Sequence, residues 1–135
     1  MIGQTKDAGW EIGVSKTLPY SVTEVWDFIS SPAGVKLWLG EGANLKPQKG
    51  SHYKTSAGTE GKVRSFHKHD RMRLTWRPKG WDHDTTVQVA ISPSGAKTVL
   101  RFHQEWLADS AERERQRDHW RSVMSAVADA LANGR

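Results

Sequence analysis

Five aromatic side chains, Trp38, Tyr53, Trp76, Phe102 and Trp120, stand at positions expected to face the interior of the folded chain. Large flat rings with a polar handle suit a site that holds a flat apolar molecule and orients it through a few hydrogen bonds. The same rings suit an ordinary core, although a small domain packs many of them poorly without leaving a void. Polar residues share the inward positions. Gln104 lies on the face of Leu100 and Phe102, and Ser65 and His67 follow Val63 inward if their strand is regular. A bulge near Ser65 would turn His67 to the other side. Arg113 and Gln116 fall on the Trp120 side of a C-terminal helix. Buried polar groups need partners, and a ligand or the backbone can supply them. An Arg at a pocket mouth suits a carboxylate or phenolate; the alternative for Arg113 is pairing with Glu112, Glu114 or solvent.

Other chemistries find less support. His67 and His69 form an H-x-H pair, with His52 and Asp82-His83-Asp84 nearby in sequence. Alternate strand residues could chelate, but Asp70 suggests that His69 begins a turn, and no third ligand is well spaced. No metal is expected. Asp82 and Asp84 could orient a catalytic His83 or belong to a solvated loop, with Trp81 as a lid or a cap over the sheet edge. There is no G-x-S-x-G elbow. Gly40-Glu41-Gly42 lacks the third glycine and the preceding strand of a dinucleotide site, and no cofactor is expected.

Charge is concentrated. Lys46 to Lys79 holds ten basic residues against two acidic ones, a local +8 in a chain whose net charge is +5. Such a patch attracts nucleic acid, anionic membranes or anionic ligands. Arg71, Arg73 and Arg77 form an outward row, joined by Lys62 and Arg64, and Phe66 on that face could stack on a base. The other reading is a charged sheet back that blocks edge aggregation. No nucleic-acid motif accompanies the charge, so nucleic acid is not the expected partner.

The 135 residues fit one domain, 1–135, large enough to bury a core without staples. Zero Cys excludes disulfides, Cys zinc sites, iron–sulfur clusters and a thiol nucleophile. No apolar run approaches the roughly 18 residues of a membrane span. Met1 to Trp10 is polar and reads as no secretory signal, so a cytoplasmic protein is expected.

These residues need positioning elements. Trp10, Ile12 and Val14 alternate as a first strand. Ser21 with Glu24 has capping-box spacing, and Val22, Val25, Trp26 and Ile29 share one face of the helix that follows. A second short helix spans Ala33 to Leu39. Turn signals then punctuate a run of six strands, among which Arg71 to Arg77 turns Met72, Leu74 and Trp76 to one side. One-sided burial of this kind indicates an antiparallel sheet with a wet back. Asp109 or Ser110 caps a long last helix, whose apolar stripe is Trp120, Val123, Met124, Val127 and Leu131. Of the seven Trp, Trp10, Trp26, Trp38, Trp76, Trp106 and Trp120 are expected inward, and Trp81 in a turn.

Six stretches in this order resemble the START-like, or SRPBCC, superfamily. They are Pro19-Tyr20-Ser21-Val22-Thr23-Glu24-Val25-Trp26, Trp38 closing the second helix, Gly58-Thr59-Glu60-Gly61-Lys62-Val63, Arg73-Leu74-Thr75-Trp76-Arg77-Pro78, Lys97-Thr98-Val99-Leu100-Arg101-Phe102-His103-Gln104-Glu105 and Arg117-Asp118-His119-Trp120. Within the superfamily the chain is similar to the activator-of-heat-shock-protein-90-ATPase homologue group over about residues 10–131. His119 stands where relatives often carry Gly, and Leu37-Trp38-Leu39 where they often carry a Trp pair.

The resemblance implies an α+β helix-grip fold. A curved antiparallel sheet of about seven strands wraps a long C-terminal helix, with two short helices after the first strand. It also implies a cavity between sheet and helix for a hydrophobic or aromatic small molecule, such as a lipid, polyketide or flavonoid-like compound. The expected ligand-binding residues are Trp38, Tyr53, Ser65, His67, Trp76, Phe102, Gln104, Arg113, Gln116 and Trp120. Binding without catalysis is the main expectation. The alternatives are a chaperone-ATPase activator and a cyclase or hydrolase with His67 or Arg113 as proton carrier or anion clamp. No oligomeric state is assigned.

Overall fold

The computed structural model describes residues 3–5 and 9–134. Of the polar opening segment, Met1, Ile2 and Lys6 to Ala8 lie outside the described residues. In chain order the elements are β1 (Gln4–Thr5), β2 (Gly9–Leu18), α1 (Val22–Ser30), α2 (Pro32–Trp38), β3 (His52–Lys54), β4 (Glu60–His67), β5 (Arg71–Trp76), β6 (Thr85–Ser94), β7 (Lys97–Leu107) and α3 (Ser110–Ala132). The seven strands form one antiparallel sheet in the order β1-β2-β7-β6-β5-β4-β3. Its concave face holds α3, which gives the helix-grip arrangement. Two strands precede the helices and five follow, so the expected run of six is five, and the short β1 completes the sheet.

Local chemistry sets the helix boundaries. The Ser21 hydroxyl accepts from the Glu24 amide, and the Glu24 carboxylate accepts from the Ser21 amide, a complete capping box. Ser31 then serves two helices. It donates its hydroxyl to the Phe28 carbonyl at the end of α1 and accepts the Gly34 amide at the start of α2, where Pro32 is tolerated in the first turn. Gly34 is required there: a Cβ would lie 1.9 Å from the Phe28 carbonyl oxygen. The Asp109 carboxylate accepts the Glu112 amide and starts α3.

Period-two burial is regular on β5 and β6, where Met72, Leu74, Trp76, Val87, Val89 and Ile91 face the core. Two bulges break it elsewhere, and both overturn an expected orientation. On β4, Val63 lies opposite Leu74 but Ser65 opposite Arg73, so two steps of β4 span one step of β5. Phe66 therefore turns inward, edge-on to Trp26 at 5.5 Å, while Ser65 and His67 turn to the wet face. Ser65 and His67 do not face the interior, and Phe66 is not on the basic face. On β7, Trp10 pairs with Leu107 and Ile12 with Gln104, so Glu105 and Trp106 together oppose Glu11. Trp106 adopts φ +67°, a rare conformation for a bulky residue. It points outward, 49% exposed, and Leu107 takes the inward position. The expected inward Trp106 is thus corrected.

Candidate functional site

The centre of the concave face is closed by a hydrogen-bonded hub. Gln104, fully buried on β7, accepts from the Trp120 indole at 2.8 Å and from the Gln116 amide at 3.0 Å through the same carbonyl oxygen. Its own amide donates to the Thr85 hydroxyl at 2.9 Å, which donates to the Trp76 carbonyl at 2.7 Å. Trp120 also stacks on Phe102, with ring centroids 5.1 Å apart and planes at 17°. Trp38 donates its indole N–H to the Ile29 carbonyl at 2.8 Å. Tyr53 donates its hydroxyl to the Thr75 carbonyl. Burial, with a further push from the Asp84 charge, drives the Tyr53 pKa well above the ordinary phenol value. Phe102, Gln104, Gln116 and Trp120 thus come together under α3, as the sequence leads one to expect, and their polar atoms bond to one another.

Arg113 does not join them. The first turn of α3 lies against β2, and the Arg113 guanidinium donates to the Glu11 carbonyl at 2.7 Å and pairs with Glu114 at 3.1 Å. It ties a helix to a strand and is no clamp at a cavity mouth. With His67 on the far face of the sheet, the two expected proton carriers share no chamber.

The other end of the concave face is arranged differently. Trp76, at the end of β5, is 6% exposed, yet its indole nitrogen is the one buried side-chain nitrogen or oxygen among the described residues with no hydrogen-bond partner. Three aromatic rings surround it. Trp81 packs edge-to-face at 5.5 Å, His119 lies at 6.0 Å and Trp120 at 6.3 Å. His119 is an exposed residue, though partial burial of its ring against Trp76 and Trp120 holds its pKa below the ordinary histidine value.

The connection from β5 to β6 covers this end. Trp81 stacks on His83 at 4.9 Å and 17°. The two ring nitrogens of His83 bond Asp82 at 2.8 Å and Glu112 at 2.7 Å. Glu112 is buried at the start of α3, where it also accepts the Ala108 amide. Partial burial of His83 lowers its pKa, but the hydrogen bonds and charges of Asp82 and Glu112 outweigh this, and the net shift is upward. The sequence pointed to the Asp82-His83-Asp84 run; the partner on α3 is 29 residues away and was invisible to spacing.

Two hollows lie beside these groups. A recess of about 290 Å³ between α1 and the β4–β5 end is walled by Trp26, Leu45, Pro47, Phe66 and Met72, with Asp27 and Lys68 at its rim. The sequence reading missed it because it turned Phe66 outward. An open groove of about 950 Å³ runs past β3 and β4, lined by Lys46, Lys54, Lys62, Arg64 and Arg77 among others. Further along the wet face Arg73 is neutralised by Glu105 and bonded to Gln88, so the outward basic row is partly paired.

A curved antiparallel sheet gripping a long C-terminal helix, with an aromatic cluster at one end of the grip, defines a START-like, or SRPBCC, domain. Residues 19–132 match the family described as "Activator of Hsp90 ATPase homolog 1-like protein", and the chain belongs to that family. No curated protein matches it by sequence. Among solved structures it is similar to DynU16 of the dynemicin biosynthetic locus (TM-score 0.79, 18% identity), covering 93% of this chain and 48% of that one. It thus spans about half of DynU16. CalU16 from Micromonospora echinospora superposes with TM-score 0.78 at 16% identity, covering 90% of this chain and 73% of that one. The Aha1 dimer from Colwellia psychrerythraea gives 0.74 at 16% identity, covering 90% and 95%. At these identities the likeness is one of fold. Among the described residues no helix is long and apolar enough to cross a membrane.

Proposed function

We propose that this domain binds a hydrophobic or aromatic small molecule at the Trp76 end of the space between sheet and α3, without chemical turnover. The observation that carries this reading is the cluster of Trp76, Trp81, His119 and Trp120 rings beneath a loop that the His83–Glu112 side-chain hydrogen bond joins to α3. These rings, with Trp76 6% and Trp120 0% exposed, offer stacking surface to a flat guest when the loop moves aside. Binding without turnover is supported by the hub, where Gln104, Gln116 and Thr85 are engaged with one another and so withdrawn from chemistry.

Tryptophan fluorescence and thermal unfolding across fatty acids, flavonoids and aromatic polyketides test the proposal. Flat aromatic members should quench fluorescence and raise the midpoint, since a ligand at a hundred times its Kd adds about 2.7 kcal/mol to stability. If no class does either up to its solubility limit, the reading fails. A second reading, as a chaperone-ATPase activator, draws on the family description and on the basic groove beside β3 and β4, which suits an acidic protein surface. Stimulation of the chaperone ATPase that is lost in Lys62→Glu/Arg64→Glu, with no small-molecule response, would favour it instead.

A further inference from the structure

Trp76 differs from the other indoles buried in this interior. Trp120 donates to Gln104 and Trp38 to Ile29, whereas Trp76, also buried, donates to nothing among the described residues. An unpaired donor withdrawn from water is a standing cost that native interiors rarely tolerate without a function. The groups around it narrow what could pair with it. Its ring neighbours are Trp81, His119 and Trp120, and the one ionisable ring among them is held toward its neutral form by burial. The one donor here that is buried and unpartnered among the described residues is the Trp76 N–H, and a buried donor flanked by aromatic rings favours a neutral acceptor over a carboxylate or phosphate, which would surrender hydration to gain a single hydrogen bond.

The loop beside it has the parts of a lid. Arg77 and the turn Pro78–Trp81 form one hinge, where the Trp81 amide donates to Pro78 and the Arg77 guanidinium to the Trp81 carbonyl. Gly80 adopts φ +90° with open space beside it, and glycine gives this turn backbone freedom. On the far side the His83–Glu112 hydrogen bond reaches α3. Trp81 stacks on His83 and packs edge-to-face on Trp76, so the His83–Glu112 bond and the Trp76–Trp81 contact together hold the loop over this end.

Resting on the small-molecule reading above, we infer that the Trp76 indole N–H anchors the ligand and that Trp81 and His83, latched to Glu112, form its lid. The guest is a flat aromatic molecule bearing one neutral acceptor oxygen, such as an aryl ketone or ester.

Two probes of nearly equal shape test this: 2-acetylnaphthalene, which carries the acceptor, and 2-ethylnaphthalene, which does not. The acetyl compound should bind about tenfold more tightly, the scale of one net hydrogen bond. In the ¹⁵N-labelled protein it should move the Trp76 indole resonance, and the ethyl compound should not. Trp76→Phe should erase the difference between the probes, and His83→Ala should accelerate association of both several-fold. An indole resonance that stays in place on saturation with the acetyl probe overturns the anchor, and it is read in the unaltered protein, so no variant has to fold. Association rates unchanged in His83→Ala overturn the lid. If both probes bind equally with Trp76 silent, the anchor falls and the small-molecule reading stands; if neither these probes nor the wider panel binds, both fall.

Discussion

Trp120 on α3 and Trp76 on β5 lie 6.3 Å apart between helix and sheet and are both buried, yet they belong to different regimes. Trp120 is fixed twice, by its stack on Phe102 and by its hydrogen bond to Gln104. Trp76 is fixed by packing alone, and its polar atom is unanswered. One region uses its polar groups to specify a single interior; the next leaves a buried donor without a partner among the described residues. Residue type and burial therefore do not distinguish these two indoles; the hydrogen-bond partner does.

The largest test of that contrast is Gln104→Leu set against Trp76→Phe. The first leaves the Trp120 indole and the Gln116 amide buried without an acceptor, which costs about 3 kcal/mol and should lower the unfolding midpoint by roughly 10 °C. Trp76→Phe removes no internal hydrogen bond and should cost about 1 kcal/mol. Equal losses in calorimetry would abolish the distinction between the two regions.

The second test is pH. The folded-state pKa of His83 is raised above its ordinary value of 6.5. Its stabilisation is therefore complete below that value and fades as pH rises through the folded pKa. For His119 the folded-state pKa is lowered, so its contribution is present above 6.5 and fades as pH falls below it. His83→Ala should flatten the alkaline side of the stability profile and leave the acid side, and His119→Phe should do the reverse. A profile that His83→Ala leaves unchanged would show that the loop is not held to α3 through this ring.

The smallest expected effect is at Trp106, which shares neither regime. Its bulky side chain is half exposed at positive φ on the β7 bulge. Trp106→Gly should be neutral or stabilising by up to about 1 kcal/mol in urea unfolding, because glycine relieves the backbone conformation. A clear loss would mean that the Trp106 ring against Gly9 contributes more than an exposed contact should.

Much of this was legible in the sequence. The capping box at Ser21, the alternation on β5 and the stripe from Trp120 to Leu131 follow from short-range rules, because each depends on residues within two turns or one strand of each other. The inward placement of Gln104 and Gln116 followed too. The misplacements of Ser65, His67, Phe66 and Trp106 have one cause. A bulge inserts a residue into one strand relative to its partner, and the side-chain period downstream inverts. Arg113 failed for another reason. Helical spacing gives the direction of a side chain but not which strand lies beneath it.

The sequence by itself determined the order of the main elements and the aromatic character of the interior, since composition and periodicity are local properties, while its six motifs carried the resemblance to a fold family. Only the tertiary structure decided which indole is answered and which is not. Whether Trp120 meets Gln104, or His83 meets Glu112, depends on how far a curved, bulged sheet carries one strand beneath α3. That distance is fixed by the packing of the whole sheet against the helix and is written at no single position of the chain.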